Sequence, residues 1–238
     1  MTDTATPAVV LLHGVARTPR SLRKMERALQ DEGFATLNLG YPSRKYPLER
    51  LADRLHDAIA PFAESADALH FVTHSMGGLL ARLYLAKHRP DRLQRVVMLA
   101  PPNSGSEVAD LLRNIAPYRA FYGPAGQQLG TTMRQLFEQL PSIDYSVGII
   151  AGDKTIDPLA SHFIVPRPID GRVSVESTRL HGMADHIVLG ATHSGLLTHR
   201  DAIKQTIAFL HDGHFLRHEK AALETSIAAF RIPEAIEG

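Results

Sequence analysis

Ala68-Leu69-His70-Phe71-Val72-Thr73-His74-Ser75-Met76-Gly77-Gly78 leads an apolar run through a serine into a pair of glycines. Residues 68–72 have the length and content of a buried strand, and a helix-like run starts at Gly78. A serine on the tight turn between such a strand and helix stands at the carboxyl edge of a sheet in a strained backbone. The N-terminus of the new helix favours negative charge developing there. Ser75 is therefore the candidate nucleophile. The G-x-S-x-G pattern of such turns puts glycines two before and two after the serine, because bulk would clash where the chain reverses. Gly77 meets the second requirement, while Thr73 stands at the first. Taken alone, the stretch also fits a serine capping an ordinary helix.

Three other parts of the chain bear on that choice. Ala8-Val9-Val10-Leu11-Leu12 reads as a fully buried strand that runs into His13-Gly14-Val15. An oxyanion hole needs one backbone N–H from the residue after the nucleophile and one from the loop after an early central strand; Met76 and Val15 are placed to supply them. His13 itself reads as a histidine bonding its own loop. Farther on, Ile187-Val188-Leu189 reads as a strand, and the loop Gly190-Ala191-Thr192-His193-Ser194-Gly195 puts His193 where an imidazole can reach Ser75. Among 13 histidines only position discriminates. His181, His186 and His199 lie close in sequence, but His186 falls at a strand start and His199 opens the next helix. For the acid, Asp153 follows a strand from Val147 to Ile150, and Asp170 heads Asp170-Gly171-Arg172-Val173, a tight turn with an apolar anchor. Asp157, before Pro158, is a third possibility. A fixed acid followed by a docking valine suits orienting an imidazole, which favours Asp170. The losing acids have ordinary turn chemistry as their explanation.

His13-Gly14, His74-Ser75-Met76-Gly77-Gly78, Asp170-Gly171-Arg172-Val173 and Thr192-His193-Ser194-Gly195 together resemble the α/β-hydrolase superfamily, in particular its small bacterial lipase and esterase branch, from Val9 to about Leu210. The resemblance implies an α/β-hydrolase fold and ester hydrolysis through an acyl-enzyme on Ser75, His193 and an acid in a D-G-x-V turn, again Asp170. It calls for no cofactor and no metal. Members admit small side chains where Thr73 stands. The implied substrate is a small-molecule or lipid ester. The same groups also serve thioesterases, lactonases, polyester hydrolases, acyltransferases and perhydrolases. A non-catalytic relative that binds a ligand would have no need of the serine, acid and histidine. A nucleotide-binding α/β domain lacks support, since neither G-x-x-x-x-G-K-[ST] nor G-x-G-x-x-G occurs.

Alternating strand and helix signals predict an α/β architecture, a mostly parallel sheet of about six strands flanked by helices. Thr18-Pro19 opens a helix with Leu22, Met25 and Leu29 on one face, stopped by Gly33. Phe34 to Leu39 follows as a strand, and Pro47 begins a helix carrying Leu48, Leu51, Leu55 and Ile59. Arg95 to Leu99 is a further strand. Thr198-His199-Arg200-Asp201 matches a capping box for a helix that ends at Gly213, and Phe215 to Phe230 reads as one more helix. Asn103 to Pro141 breaks the alternation and reads as a cap over the serine. Its Tyr118, Phe121 and Tyr122, with His13, Gly14 and His74 beside the serine, are the candidate substrate-contacting residues. Most apolar cap residues would simply pack the cap onto the core.

With 238 residues and 44% hydrophobic content, residues 1–238 can form one domain with a sizeable core. A net charge of +1 with interspersed acids gives no electrostatic case for nucleic acid. The absence of cysteine removes disulfides, thiolate metal sites and a cysteine nucleophile. No run reaches membrane-spanning length, so stable membrane insertion is not expected. The first residues lack a basic segment and a signal-peptide core, which predicts a cytoplasmic protein, or a secreted one if a leader has been removed. Oligomeric state is not legible.

Overall fold

In the computed structural model the described residues are 6–106, 109, 114, 116–130, 137, 140–155 and 168–217. In chain order they form β1 (Pro7–Leu12), α1 (Arg23–Asp31), β2 (Ala35–Leu39), α2 (Leu48–Glu64), β3 (Ala68–His74), α3 (Met76–Lys87) and β4 (Leu93–Leu99), then α4 (Ala116–Gln127), β5 (Ser146–Gly152), α5 (Val175–Thr178), β6 (Asp185–Leu189) and α6 (Arg200–Asp212). Short 3-10 turns precede α1, at Pro19–Leu22, and α6, at Gly195–Leu197.

The six strands make one sheet in the order β2-β1-β3-β4-β5-β6, every neighbouring pair parallel. Parallel pairing follows from the helical crossovers, and covering both faces requires side chains of both parities to be apolar. β1 meets that requirement. Val10 and Leu12 face a cluster with Leu51, Leu55 and Ile59 of α2 and Leu80 and Tyr84 of α3. Val9 and Leu11 face a second cluster with Met25 and Leu29 of α1 and Phe209 and Leu210 of α6. Register aligns the carboxyl ends: Leu12 lies opposite Thr73, Thr73 opposite Met98, and His74 opposite Leu99. Strand order reverses at β1, with β2 on one side and β3 on the other, and the crevice outside such a reversal is where open α/β sheets hold ligands.

One local expectation changes. Helix α6 begins with His199, not Thr198, as its N-cap, and no side chain caps it. Thr198 is used instead as the C-cap of the preceding 3-10 turn, so the capping box does not form. At the other end Gly213 (φ 79°) closes α6 in the left-handed conformation. Residues 215–217 continue without helix, and the rest of the expected terminal helix lies outside the described residues.

Within 103–141, α4 is broken at Gly123, whose φ is 66°. A Cβ there would sit 1.9 Å from the Arg44 carbonyl oxygen, so the break lets α4 lie directly on the loop between β2 and α2. The seat is reinforced where the Leu48 N–H donates to Gln128 Oε1 (2.7 Å) and Gln128 Nε2 donates to Glu49 (3.1 Å).

Candidate functional site

Ser75 stands between the last residue of β3 and the first of α3 with φ 55° and ψ −127°, a region that an L-residue adopts only when its surroundings hold it there. Its N–H donates to the Leu99 carbonyl (2.8 Å), and its own carbonyl accepts from the Gly78 N–H (2.9 Å). The turn is possible because α3 presses onto the end of β1. A Cβ on Gly77 would lie 2.3 Å from the Leu12 carbonyl oxygen and 2.8 Å from that of His13. Thr73, in place of the usual first glycine, is fully buried. Its room is provided by Gly78, where a Cβ would come 3.3 Å from Thr73 Oγ1.

Among the described residues three non-glycine ones have positive φ: Ala16 (54°), Ser75 (55°) and Ala100 (46°), each following the carboxyl end of a neighbouring strand, β1, β3 or β4. At ~1–3 kcal/mol each, such conformations persist only where other contacts fix them, and they collect at functional edges. The Ala100 N–H donates to Ile150 O (2.9 Å). The Ala16 N–H donates to the buried Ser43 hydroxyl (3.1 Å). Tyr41 OH donates to the His13 carbonyl, and its ring stacks on the His13 imidazole at 4.2 Å between centroids. Tyr41 and Ser43 thus hold the 13–16 loop. They carry no motif, and in the sequence they are ordinary residues of a turn after a strand.

Asp170 sits at the tip of a short antiparallel bridge between Ile169 and Ser174. Gly171, at φ 98°, turns the chain so that Asp170 Oδ1 accepts the backbone N–H of Arg172 (2.9 Å) and of Val173 (2.8 Å). Its Oδ2 accepts from His193 Nδ1 at 2.7 Å, with side-chain exposures of 1% and 8%. The His193 N–H also donates to the Asp170 carbonyl (2.9 Å), so backbone and side chain lock the two loops together. A carboxylate oxygen only accepts, so the imidazole carries its proton on Nδ1 and presents a bare Nε2.

Ser75 and His193 line one cavity of about 210 Å³ with Val15, Pro102, Tyr122 and Arg172. No hydrogen bond joins Ser75 to His193 among the described residues. Arg172 donates to Tyr122 OH (2.8 Å) across the cavity, bringing α4 against the Asp170 turn. His13, Gly14 and His74 do not line the cavity; they pack beneath it, the histidines each 1% exposed. His13 Nδ1 bonds the Gly14 carbonyl (2.8 Å), and His74 Nε2 donates to the His193 carbonyl (2.9 Å). Burial, aided by the charges of His193, Arg17 and Arg172, pushes the His74 pKa well below its ordinary value, and burial lowers that of His13, so both rings are neutral supports. The side chains of Tyr118 and Phe121 lie outside the described residues.

The other acids and histidines are elsewhere engaged. Asp153 is exposed, with its N–H on Leu189 O (3.2 Å), and Asp157 lies outside the described residues. His186 bonds Thr178 Oγ1 (3.0 Å), His199 occupies the N-cap position of α6 without a side-chain cap bond, and His181 is exposed.

A family model described as the alpha/beta hydrolase fold matches residues 40–125. Among solved structures, the mature form of the Bacillus licheniformis lipase BlEst2 superposes with a TM-score of 0.68 at 20% identity, over 89% of this chain and 93% of that one. Phospholipase PlaB from Legionella pneumophila gives 0.66 at 18% identity over 81% of this chain and 56% of its own. A metagenomic carboxyl esterase gives 0.61 at 21% identity, over 80% and 65%. No curated protein sequence matches the chain significantly. The chain has the alpha/beta hydrolase fold. Its structural neighbours are lipases and esterases of that superfamily.

Proposed function

We propose that the protein is a serine hydrolase of carboxylic esters, with Ser75 as nucleophile, His193 as general base and acid, and Asp170 as the residue orienting His193. The observation that carries the reading is the buried His193–Asp170 pair opening onto the cavity of the strained Ser75. With Nδ1–H committed to Asp170, Nε2 of His193 is the atom that takes the Ser75 proton as the serine oxygen attacks the ester carbonyl. Substrate binding brings Ser75 Oγ and His193 Nε2 into hydrogen-bond range before attack, as apo geometry at such sites is commonly loose. The oxyanion is received by the N–H of Met76, one of those an α-helix leaves unpaired at its start, and by that of Val15 in the loop held by Tyr41 and Ser43. His193 then protonates the departing alcohol, and water repeats the sequence on the acyl-enzyme to release the acid.

The substrate is a small-molecule ester. The cavity of about 210 Å³ lies below the ~300–1,000 Å³ of drug-sized sites, which favours short acyl groups. The test is hydrolysis of p-nitrophenyl esters from acetyl to palmitoyl by wild type and Ser75→Ala, with a fluorophosphonate probe read by mass spectrometry. The expected result is a short-chain optimum, labelling at Ser75 and loss of activity in the variant. Equal turnover by both proteins would remove the mechanism.

A further inference from the structure

Arg82 of α3 is only 8% exposed, yet no carboxylate of the described residues pairs with it. Its Nη1 donates to Asn103 Oδ1 (3.3 Å), and the guanidinium lies over the Phe137 ring, 4.6 Å from the centroid. Neither partner carries charge. Burial lowers the pKa to about 10, so the group is a cation throughout the physiological range. A buried cation without a counter-ion is costly to hold, and proteins normally pair it.

The guanidinium borders a cavity of about 380 Å³ separate from that of Ser75. Arg179 and His181 stand in the same lining, while Phe137, Ile143 and Leu180 supply apolar wall; among the described residues no acidic one lines it. Among the described residues the Arg179 side chain is tied only to exposed Glu176 (3.2 Å), a pair worth little in water. The volume is that of a small-molecule site, with a few convergent polar groups in an apolar surround. The two cavities share a wall: Pro102 and Ser106 face Ser75, whereas Asn103 and Ser104 face Arg82.

We propose that this second cavity binds an amphiphilic carboxylate, its head on Arg82 and Arg179 and its apolar body against Phe137, Ile143 and Leu180. The planar guanidinium matches a carboxylate geometrically, and low local dielectric strengthens the contact. The inference is independent of ester hydrolysis, because no residue of the Ser75 cavity takes part.

The experiment is calorimetric titration of the full chain with sodium hexanoate, hexanol and inorganic phosphate, on wild type, Arg82→Met, Arg179→Gln and Arg172→Gln. Hexanoate should bind wild type, with hexanol and phosphate each weaker by about tenfold or more. Arg82→Met should lose that binding, Arg179→Gln should weaken it several-fold, and Arg172→Gln, in the other cavity, should leave it intact. Methionine keeps the apolar stem and removes a buried charge, a change that proteins often tolerate. If Arg82→Met does not fold, Arg179→Gln decides, together with hexanoate-induced protection of the Ser104 amide from exchange in wild type. Equal binding of hexanol or phosphate, wild-type affinity in Arg179→Gln, or loss of binding in Arg172→Gln alone would each overturn the assignment.

Discussion

Asp170→Asn tests the proposed chemistry most sharply, because the structure dictates how an amide would sit. Arg172 and Val173 aim two backbone N–H groups at Oδ1, at 2.9 and 2.8 Å, so the single carbonyl oxygen of asparagine belongs there. The NH2 group then faces His193 Nδ1 at the 2.7 Å position now held by Oδ2. Two donors cannot share that contact, so the imidazole must move its proton to Nε2 and can no longer accept one from Ser75. Flipping the amide restores the tautomer but leaves two buried N–H groups facing a donor, at ~1–3 kcal/mol each. The competent arrangement is therefore raised by ~2–6 kcal/mol, and kcat should fall roughly 30- to 10,000-fold at ~1.4 kcal/mol per decade. The upper end matches the loss in the serine-protease worked case, where an Asp-to-Asn change also imposes the wrong tautomer. Steady-state hydrolysis of p-nitrophenyl butyrate measures the effect, with a thermal melt confirming the fold and Asp153→Asn, at an exposed acid outside the cavity, as the control expected to match wild type. A folded Asp170→Asn within threefold of wild-type kcat would refute the argument.

Three further outcomes follow from the same geometry. Gly77→Ala drives a Cβ to 2.3 Å from backbone that cannot give way, so the melting temperature should fall by ~6–12 °C, corresponding to ~3 kcal/mol at ~2–4 °C per kcal/mol for a chain of this size; a melt unchanged within error would contradict the close packing of α3 on β1. Ser43→Ala removes the hydroxyl that holds Ala16 at positive φ, and should lower kcat about tenfold with little change in KM, for the loss of roughly 1.4 kcal/mol of positioning; a rise in KM alone would assign Ser43 to substrate binding instead. His70 is buried, and desolvation, with the charges of Arg95 and His211, lowers its pKa to about 4. Between pH 6.5 and 4 the unfolded chain therefore binds the extra proton, so stability contributed by His70 is present above this window and lost as pH falls through it, by up to ~3 kcal/mol; urea melts at pH 7 and 4.5 should show a smaller drop for His70→Gln than for wild type.

The sheet and its helices were legible because their causes are local. The continuous apolar strands, the Leu48-Leu51-Leu55-Ile59 spacing and the Gly33 and Gly213 stops act within a few residues of where they stand, and all appear in the structure. The strand-to-helix turn at Ser75 was legible for the same reason, apart from Thr73, whose tolerance depends on space left by Gly78 five residues later. The capping-box reading of residues 198–201 failed because a local pattern gave way to its neighbour: the 3-10 turn claims Thr198 first. Pairing between distant loops was beyond the sequence. Nothing in the order of residues says that Tyr41 would lie on His13, that Gly123 would rest on Arg44, or that Arg82 would be enclosed without an acid among the described residues.

Residues 41–49, the loop after β2 with the first residues of α2, are an abutment shared by two parts of the molecule. On one side Tyr41 and Ser43 hold the 13–16 loop; on the other Arg44, Leu48 and Glu49 receive Gly123 and Gln128 of α4 and its end. Helix α4 is consequently not a detachable element. A chimera that grafted it onto another scaffold of this fold would have to carry residues 41–49 with it, and exchanges made in α4 to widen the range of substrates would also alter the 13–16 loop beside Ser75.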